Sequence, residues 1–284
     1  MSSKIRAPSF GSQTYWEHRF TKNTAPFDWL STPCALDPFI KEALQDVGEV
    51  NPQILHVGCG SSMLSHHLKT HVRSAQQIHN VDYSTVVIET ERQREIATSR
   101  ASEKQGNGDA PMRWDVVDLL DYTSVAKTCA CHPYSVIVDK STCDAVSCAD
   151  DVVCPLPYAL ATRETTAAEM RSEAEPKQVR VQPLYVLAIH LALVTEPGAR
   201  WVALSFSSER YSFLEEKTAR VEEDDTADTG IPDPRLFWTV VVKHPIEAEQ
   251  QEDSNGNGVT HRPKLYHWVY LLQRTPVPLV IRSA

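Results

Sequence analysis

The stretch "ILHVGCGSSMLSHHL" (residues 54–68) predicts a strand that turns on glycines and runs directly into a helix. It begins with a short apolar run, and its leucines follow at helical spacing. Gly58 and Gly60 flank a cysteine at the turn. Glycine adopts backbone angles that other residues avoid, and it leaves no side chain between the backbone and a ligand. The stretch therefore predicts a ligand-binding turn at the start of an α/β sheet.

Strand-like and helical runs alternate along most of the chain around this turn. Such alternation is typical of a parallel sheet with crossover helices. The last of these strands is entered through a Pro-Gly turn, and a polar insertion precedes it near residues 161–180. Runs of the strand type cover residues 53–58, 77–83, 111–118, 134–140 and 197–206.

The C-terminal part narrows the choice of fold. Residues 235–244 and 264–273 are two long strand-like runs with no helix between them, so they must pair antiparallel. Five parallel strands followed by an antiparallel hairpin form the Rossmann-like, seven-stranded, mostly parallel sheet associated with S-adenosylmethionine-dependent methyltransferases, with helices on both faces. We expect one domain over residues 1–284: an N-terminal segment (1–50), a core (51–206) and the C-terminal strands and polar loops (207–284).

Composition and charge limit the kinds of partner that this chain can bind. The chain has 284 residues, 42% of them hydrophobic and 23% charged, and a formal net charge of −9. An acidic chain is a poor match for nucleic acid, and a basic or neutral protein partner fits better. The apolar run at residues 184–194 is too short to span a bilayer and predicts a buried helix. The N-terminus has no apolar signal region, so we expect a cytoplasmic protein, or a nuclear one, away from membranes.

Metal-ligating residues are present but form no complete set in the sequence. Seven cysteines without a signal peptide favour reduced thiols. Cys129, Cys131 and His132 resemble half of a zinc site, but no second half follows at a suitable spacing. His67 and His71 lie four residues apart, and the sequence offers no third ligand for them. The sequence therefore predicts no metal.

The glycine turn and two strand-end carboxylates point to a nucleoside ligand. In an open parallel sheet, ligands bind outside the carboxyl ends of the strands, beside the first strand. Asp82 follows Gly58 at close to the spacing of about twenty residues at which a carboxylate receives a ribose diol. Asp118, at the end of the third strand, is placed to accept a hydrogen bond from an adenine amino group. The alternative is that Asp82 and Asp118 are ordinary loop carboxylates at strand ends.

A dinucleotide enzyme is the competing interpretation of the same turn. Its fingerprint, G-x-G-x-x-G, uses the third glycine to pack the helix closely while the helix N-terminus binds pyrophosphate. Met63 stands at the third position here. A ligand with a ribose but no pyrophosphate is preferred, and S-adenosylmethionine is the common one.

Six motifs in order resemble those of the seven-strand methyltransferases that methylate lysines of translation elongation factor 1-alpha. The similarity covers roughly residues 15–146 and, more loosely, residues 197–211 and the final hairpin. The motifs are "YWEHRF" (15–20), "FDWL" (27–30), "LHVGCGSSMLS" (55–65), "NVDYS" (80–84), "RWDVVDL" (113–119) and "VIVDKSTCDAV" (136–146).

The resemblance implies a set of cofactor-binding residues. Two tryptophans of the N-terminal segment would close over the cofactor, although they could equally be packing anchors, and a lysine would lie beside its methionine portion. The glycine turn and the strand ends would contact the ribose and the adenine. The implied residues are Trp16, Trp29, Gly58, Gly60, Asp82, Tyr83, Asp118, Leu119 and Lys140.

The chain departs from the family pattern at four positions. Ser61 replaces an asparagine, Cys143 a leucine, and Phe20 an aromatic residue that carries a hydroxyl. Ser141 replaces a glycine, which adds a Cβ and narrows the predicted acceptor pocket. None of these changes removes a cofactor carboxylate, so cofactor binding is still predicted.

Methyl transfer from a sulfonium is an in-line displacement, so such an enzyme mainly positions the methyl group against the nucleophile. Asp139 is the candidate catalytic residue that orients or deprotonates a lysine amine. Its alternative role is that of a helix N-cap. Tyr15, Phe27, Phe206 and Tyr211 are candidates for an aromatic wall that holds a cationic amine by cation–π attraction.

Three classes of function follow from these residues. A protein lysine methyltransferase, acting on a translation elongation factor, is favoured by the motifs and by the acidic charge. A small-molecule N- or O-methyltransferase would need a closed acceptor cavity. A catalytically silent S-adenosylmethionine-binding protein is the third class, and the sequence gives no indication of oligomeric state.

Overall fold

The chain begins with two helices ahead of the sheet, α1 (Gln13–Lys22) and α2 (Asp37–Val47). Pro38 in the first turn of α2 and Gly48, with a left-handed φ of 67°, mark the two ends of that helix. The computed structural model describes residues 8–103, 110–129, 133–162, 177–215, 230–248 and 264–282.

Strands and helices then alternate as the sequence predicted. The first half of the chain contains β1 (Ile54–Val57), α3 (Leu64–Leu68), β2 (Ile78–Asp82), α4 (Thr85–Glu103), β3 (Arg113–Val116), α5 (Tyr122–Cys129), β4 (Tyr134–Lys140) and α6 (Thr142–Val146). The second half contains β5 (Val152–Pro155), β6 (Leu160–Thr162), β7 (Gln178–Val181), α7 (Pro183–Leu193), β8 (Thr195–Ser205), α8 (Ser212–Glu215), β9 (Trp238–Glu247), β10 (Tyr266–Arg274) and β11 (Leu279–Ile281).

Seven strands form one sheet in the order β3-β2-β1-β4-β8-β10-β9. The first five run parallel, and Ile54 of β1 pairs with Ile78 of β2 on one side and with Val136 of β4 on the other. Strand β10 is antiparallel to both β8 and β9. The predicted fold class, a Rossmann-like sheet that ends in an antiparallel hairpin, is confirmed.

Apolar side chains leave the sheet on both faces and pack against helices there. In β1, Leu55 and Val57 join the core cluster that contains α5 and α7, whereas Ile54 joins the cluster that contains α2, α3 and α4. This division follows from the alternation of side chains along a strand. The prediction of helices on both faces is therefore confirmed.

Helix α7 is the buried helix that the apolar run predicted, and every residue from Val186 to Ala192 is buried. His190 in this helix is held by the Tyr158 hydroxyl at 2.6 Å and by the Leu119 carbonyl at 2.8 Å. Burial lowers the pKa of His190, which favours the neutral ring in this apolar setting. Within the described ranges, no helix combines the length and the apolar character needed to cross a membrane.

The Pro-Gly pair before β8 is placed differently from the prediction. Strand β8 begins at Thr195, ahead of the pair, and Gly198 takes a left-handed φ of 88° inside the strand. The register with β4 shifts there, because Tyr134 pairs with Thr195 and Val136 with Arg200. The pair therefore forms a bulge within the strand rather than a turn before it.

Two small sheets, β5 with β7 and β6 with β11, were not predicted. Their strands are three or four residues long and give little periodic signal. Residues 163–176 of the predicted insertion lie outside the described residues, as do Cys131 and His132 of the incomplete zinc motif.

Candidate active site

The glycine turn between β1 and α3 packs tightly against α6. Gly58 and Gly60 have left-handed φ values of +55° and +50°. A Cβ on Gly58 would lie 2.2 Å from Oγ1 of Thr142, and one on Gly60 would lie 3.5 Å from the ring of Phe20. Position 58 therefore requires glycine for its backbone angle and for its packing.

Asp82, the last residue of β2, faces this turn. Its Oδ2 accepts a hydrogen bond from the Gly60 N–H at 3.0 Å, and its Oδ1 accepts one from the Ser84 N–H at 2.9 Å. The residue is buried, and that burial raises the pKa of its carboxyl to about 6. A carboxylate oxygen accepts more than one hydrogen bond, so Asp82 retains acceptor capacity for a ligand.

The neighbouring strand ends add three residues to the same site. Tyr83 follows Asp82, and burial raises the pKa of its phenol. Asp118 lies after β3, where its Oδ1 accepts a hydrogen bond from the Leu120 N–H at 2.9 Å, and Leu119 is buried beside it. The turn at Asp118 thus leaves an exposed carboxylate next to an apolar wall.

Aromatic residues of the N-terminal segment cover the site. The ring of Trp16 stacks on Phe20 with centroids 5.7 Å apart and meets Trp29 edge-on at 6.1 Å. The indole N–H of Trp16 donates to the Phe10 carbonyl at 2.6 Å. The two tryptophans therefore pack against their own segment and also border the site.

Lys140, at the end of β4, ties the N-terminal segment to the sheet. Its Nζ lies 2.5 Å from Oδ1 of Asp28, and it donates to the carbonyls of Trp29 at 3.4 Å and Ser31 at 3.3 Å. The Ser62 hydroxyl donates to the same Asp28 oxygen at 2.5 Å. Burial lowers the pKa of the lysine, while Asp28 opposes that shift. Lys140 therefore fastens the aromatic segment in place.

A cavity of about 280 Å³ lies at the carboxyl ends of the central parallel strands, where these residues meet. The strand order reverses between β1 and β4, and such a switch point is the usual ligand site of an open α/β sheet. The cavity is lined by every residue predicted to bind the cofactor: Trp16, Trp29, Gly58, Gly60, Asp82, Tyr83, Asp118, Leu119 and Lys140.

Asp139, the predicted catalytic residue, is absent from the cavity lining. It is fully buried, and its Oδ1 accepts a hydrogen bond from the Thr142 N–H at 2.8 Å. The Cys143 N–H reaches its Oδ2 at 3.3 Å, and burial raises the pKa of Asp139 to about 7. Ser141 occupies the N-cap position of α6 and makes no side-chain cap bond, and the oxygens of Asp139 accept from the first N–H groups of the helix in its place. The structure thus favours the capping alternative over the catalytic role.

Asp139→Asn is expected to leave methyl transfer within about tenfold of the wild-type rate, because a general base contributes about 100-fold or more. The free energy of unfolding should fall by about 0.5–2 kcal/mol, the cost of weakening a helix cap. Methyl transfer in a cell extract and denaturant unfolding measure the two effects. A rate loss above about 100-fold in a variant of unchanged stability would restore the catalytic role.

The four predicted aromatic candidates divide into two pairs. Phe27 and Phe206 line the cavity, whereas Tyr15 and Tyr211 do not. Tyr211 is fully buried, and its hydroxyl donates to the Cys143 sulfur at 2.9 Å. Tyr211 is thus a core residue and not part of an acceptor wall.

An arginine of this chain lies over each of the rings of Phe27 and Phe206. The guanidinium of Arg19 lies 4.5 Å from the centroid of Phe27, and that of Arg210 lies 5.3 Å from the centroid of Phe206. Arginine over an aromatic face is a cation–π contact. The electron-rich face of each ring is therefore shared with a positive charge before any ligand binds.

Asp144 is the cavity-lining acid that the sequence reasoning missed. Its carboxylate accepts hydrogen bonds from Nε of Arg210 at 2.9 Å, from the Phe206 N–H at 3.1 Å and from the Ser205 hydroxyl. Asp144 lies in the same motif as Asp139. The sequence therefore shows that the acid is present, but it does not show which way its side chain points. Burial raises its pKa, while these donors oppose the shift.

His56 of β1 was also missed, although it lines the cavity. Its Nδ1 lies 3.0 Å from the Ser65 hydroxyl and 3.1 Å from Oδ1 of Asn80. Burial lowers the pKa of His56 to about 4, so the ring is neutral near pH 7. The signal that could have indicated His56 is a histidine within the apolar run of the first strand.

The fold and the cavity define the class as a methyltransferase with a seven-stranded Rossmann-like sheet. The chain is 35% identical over 270 residues to the methyltransferase srdJ of Neurospora crassa, and the match covers 95% of this chain and 86% of that protein. The chain therefore belongs to the family of this methyltransferase. No protein-family model matches the chain. The finer resemblance to the elongation factor group stays a prediction.

Two solved structures are similar at a lower level. The N-methyltransferase NodS from Bradyrhizobium japonicum, in complex with S-adenosylhomocysteine, is 12% identical with a TM-score of 0.47, over 95% of this chain and 100% of that one. An S-adenosylmethionine-dependent methyltransferase from Anabaena variabilis is 10% identical with a TM-score of 0.48, over 96% and 99% of the two chains. These similarities are too low to inform the site.

Proposed function

We propose that this chain is an S-adenosylmethionine-dependent methyltransferase that holds its cofactor in the cavity beside the glycine turn. The observation that carries the proposal is the convergence of all nine predicted cofactor residues on one cavity at the switch point of the sheet. Membership of a methyltransferase family supports the same activity.

The residues present fit this cofactor. Asp82 keeps lone pairs for a ribose diol, and Asp118 offers a carboxylate to an adenine amino group. Gly58 lines the cavity, and its missing Cβ lets the turn pack against Thr142 of α6. Trp16 and Trp29 cover the cavity, and Lys140 keeps that cover attached through Asp28. The bound sulfonium supplies an activated methyl group, and this chain supplies its position and exclusion of water.

The acceptor that the geometry favours is a small molecule without a positive charge. Arg19 and Arg210 lie on the two aromatic rings that would otherwise attract a cationic amine. Like charges in a partly dry cavity repel more strongly than they do in water. A neutral nucleophile avoids this repulsion and also that of the carboxylates of Asp82, Asp118 and Asp144, which line the same cavity. An O- or N-methyltransferase of small molecules is therefore supported.

Ser141 offers a specific group for such an acceptor. It lines the cavity, and its hydroxyl has no hydrogen-bond partner within the described part of the chain. A buried hydroxyl without a partner is costly unless a ligand or water satisfies it. A polar acceptor that accepts or donates a hydrogen bond at this point would be favoured over an apolar one.

A protein lysine, as on a translation elongation factor, is the second candidate acceptor. Its support is the order of six motifs and the net charge of −9, which attracts basic partners. In this case, the lysine must reach the cavity as a neutral amine before it attacks.

A radiolabelled methyl-transfer assay separates these candidates. The protein and labelled S-adenosylmethionine are incubated with a cell extract, which is then divided into precipitated protein and a soluble small-molecule fraction. We expect labelled product, separated from unreacted cofactor by chromatography, in the small-molecule fraction, and at least about tenfold less of it with Asp82→Ala as a matched control. Label confined to a protein band would assign the lysine acceptor, and no label above the control would contradict enzymatic activity.

A further inference from the structure

We infer that Asp37, His67 and His71 form a binding site for a divalent transition-metal ion, of which Zn²⁺ is the best match. Nε2 of His67 lies 2.6 Å from Oδ1 of Asp37, and Nε2 of His71 lies 2.8 Å from the same oxygen. All three donor atoms lie within 4.8 Å of one another. The carboxylate from α2 is the third ligand that the histidine pair lacked in the sequence.

The donor set selects the kind of metal. Two imidazole nitrogens and one carboxylate oxygen suit Zn²⁺ and its neighbours, whereas Mg²⁺ and Ca²⁺ prefer oxygen ligands alone. Tetrahedral zinc with bonds of about 2.0–2.2 Å holds its ligands about 3.3 Å apart. The carboxylate oxygen therefore needs to separate from the two ring nitrogens by about 0.5–0.7 Å to admit the ion between them, with water as the fourth ligand.

Access and anchoring are both present at this cluster. The side chains of Asp37 and His67 are 26% and 23% exposed, so an ion can enter from solvent. The side chain of His71 is only 4% exposed, and its ring lies 5.6 Å from that of His67. One buried histidine and two accessible ligands therefore give a site that needs only a small movement to receive the metal.

The position of the cluster indicates a structural role. None of its three residues lines the cavity. Asp37 begins α2, directly after the segment that covers the cavity, and the two histidines lie at the end of α3 and just beyond it, in the stretch that follows the glycine turn. A metal bound here would clamp the cover to the glycine turn from outside, independently of whether methyl transfer is the reaction.

Titration of the chelator-treated full chain with ZnCl2 in a calorimeter tests the site. We expect one strong site per chain, and a loss in affinity of at least about tenfold in Asp37→Asn and in His67→Ala. His18→Ala is the matched control, because it removes an exposed histidine of α1 and should bind as wild type does. Bound zinc should also raise the Tm of wild type and not that of the two variants.

Cobalt and cysteine controls distinguish this site from thiolate binding. Cys34 is exposed and lies three residues before Asp37, so it is the competing ligand to exclude. Co²⁺ should bind without a thiolate charge-transfer band, and Cys34→Ser should retain the zinc affinity. His71→Ala is avoided because its loss would leave a void. No binding at micromolar zinc, equal affinity in Asp37→Asn and His67→Ala, or loss of binding only in Cys34→Ser would overturn the inference.

Discussion

Gly58→Ala is expected to abolish cofactor binding and to lower the free energy of unfolding by about 2–4 kcal/mol. The new Cβ would lie 2.2 Å from Oγ1, 2.5 Å from Cγ2 and 2.9 Å from Cβ of Thr142. Thr142 cannot turn away freely, because its hydroxyl donates to the Val57 carbonyl at 2.8 Å. The clash must therefore move the glycine turn or α6, and both line the cavity. Denaturant unfolding and calorimetry with S-adenosylhomocysteine measure the two effects.

Gly198→Ala is the matched control for this substitution. Gly198 has a left-handed φ of +88°, but a Cβ there would meet nothing within 4 Å. Its change should cost only the backbone term of about 1–2 kcal/mol and leave cofactor binding intact. Adding Thr142→Ala to Gly58→Ala should recover part of the stability, because it removes the two closest atoms. Equal destabilisation by Gly58→Ala and Gly198→Ala would show that the contact with Thr142 is unimportant.

Asp82→Asn is expected to weaken cofactor binding by about 1.5–3 kcal/mol, or roughly 10- to 150-fold, through loss of a charge-assisted ribose contact. The amide retains one acceptor oxygen for the Gly60 or Ser84 N–H, so the fold should persist. Calorimetry at neutral pH measures the affinity, and unfolding experiments check the stability. Unchanged affinity in the folded variant would remove Asp82 from the ribose site.

The same substitution should remove a pH dependence. Burial raises the pKa of Asp82 to about 6, so its carboxylate is ionised above that pH and protonated below it. The wild-type affinity should therefore fall as the pH is lowered through 6, while that of Asp82→Asn stays flat over this range. Asp151 is an exposed carboxylate away from the cavity, so Asp151→Asn should retain the wild-type dependence of affinity on pH. A fall of equal size in Asp82→Asn would assign the effect to another group.

The glycine turn illustrates what could be predicted locally. Fifteen residues contain its apolar run, its two glycines and its leucines at helical spacing. The structure has a strand, a left-handed turn and a helix at these positions. Backbone conformation at the glycine turn follows from short-range sterics. Position 141 differs, because Ser141 takes a left-handed φ of 70° that a residue with a Cβ seldom adopts.

The two carboxylates of "DKSTCDAV" illustrate what could not be predicted. Asp139 is turned under the first turn of α6, and Asp144 enters the cavity wall. The left-handed residue between strand and helix changes the chain direction, so the alternation of β4 does not continue past it. Which acid faces a ligand depends on that turn and on the packing of α6 against β4 and β8, neither of which a motif encodes.

The sequence by itself determined the chain order of the seven strands of the main sheet, the antiparallel hairpin, and the glycines and strand ends that surround the cavity. These features rest on hydrophobic periodicity and on backbone sterics, which act over a few residues. Only the tertiary structure decided that Arg19 and Arg210 lie on the two aromatic rings, that Tyr211 is core, and that Asp37 meets His67 and His71. These contacts join residues from separate elements, and their geometry is set by how helices pack on the sheet, which no local pattern records.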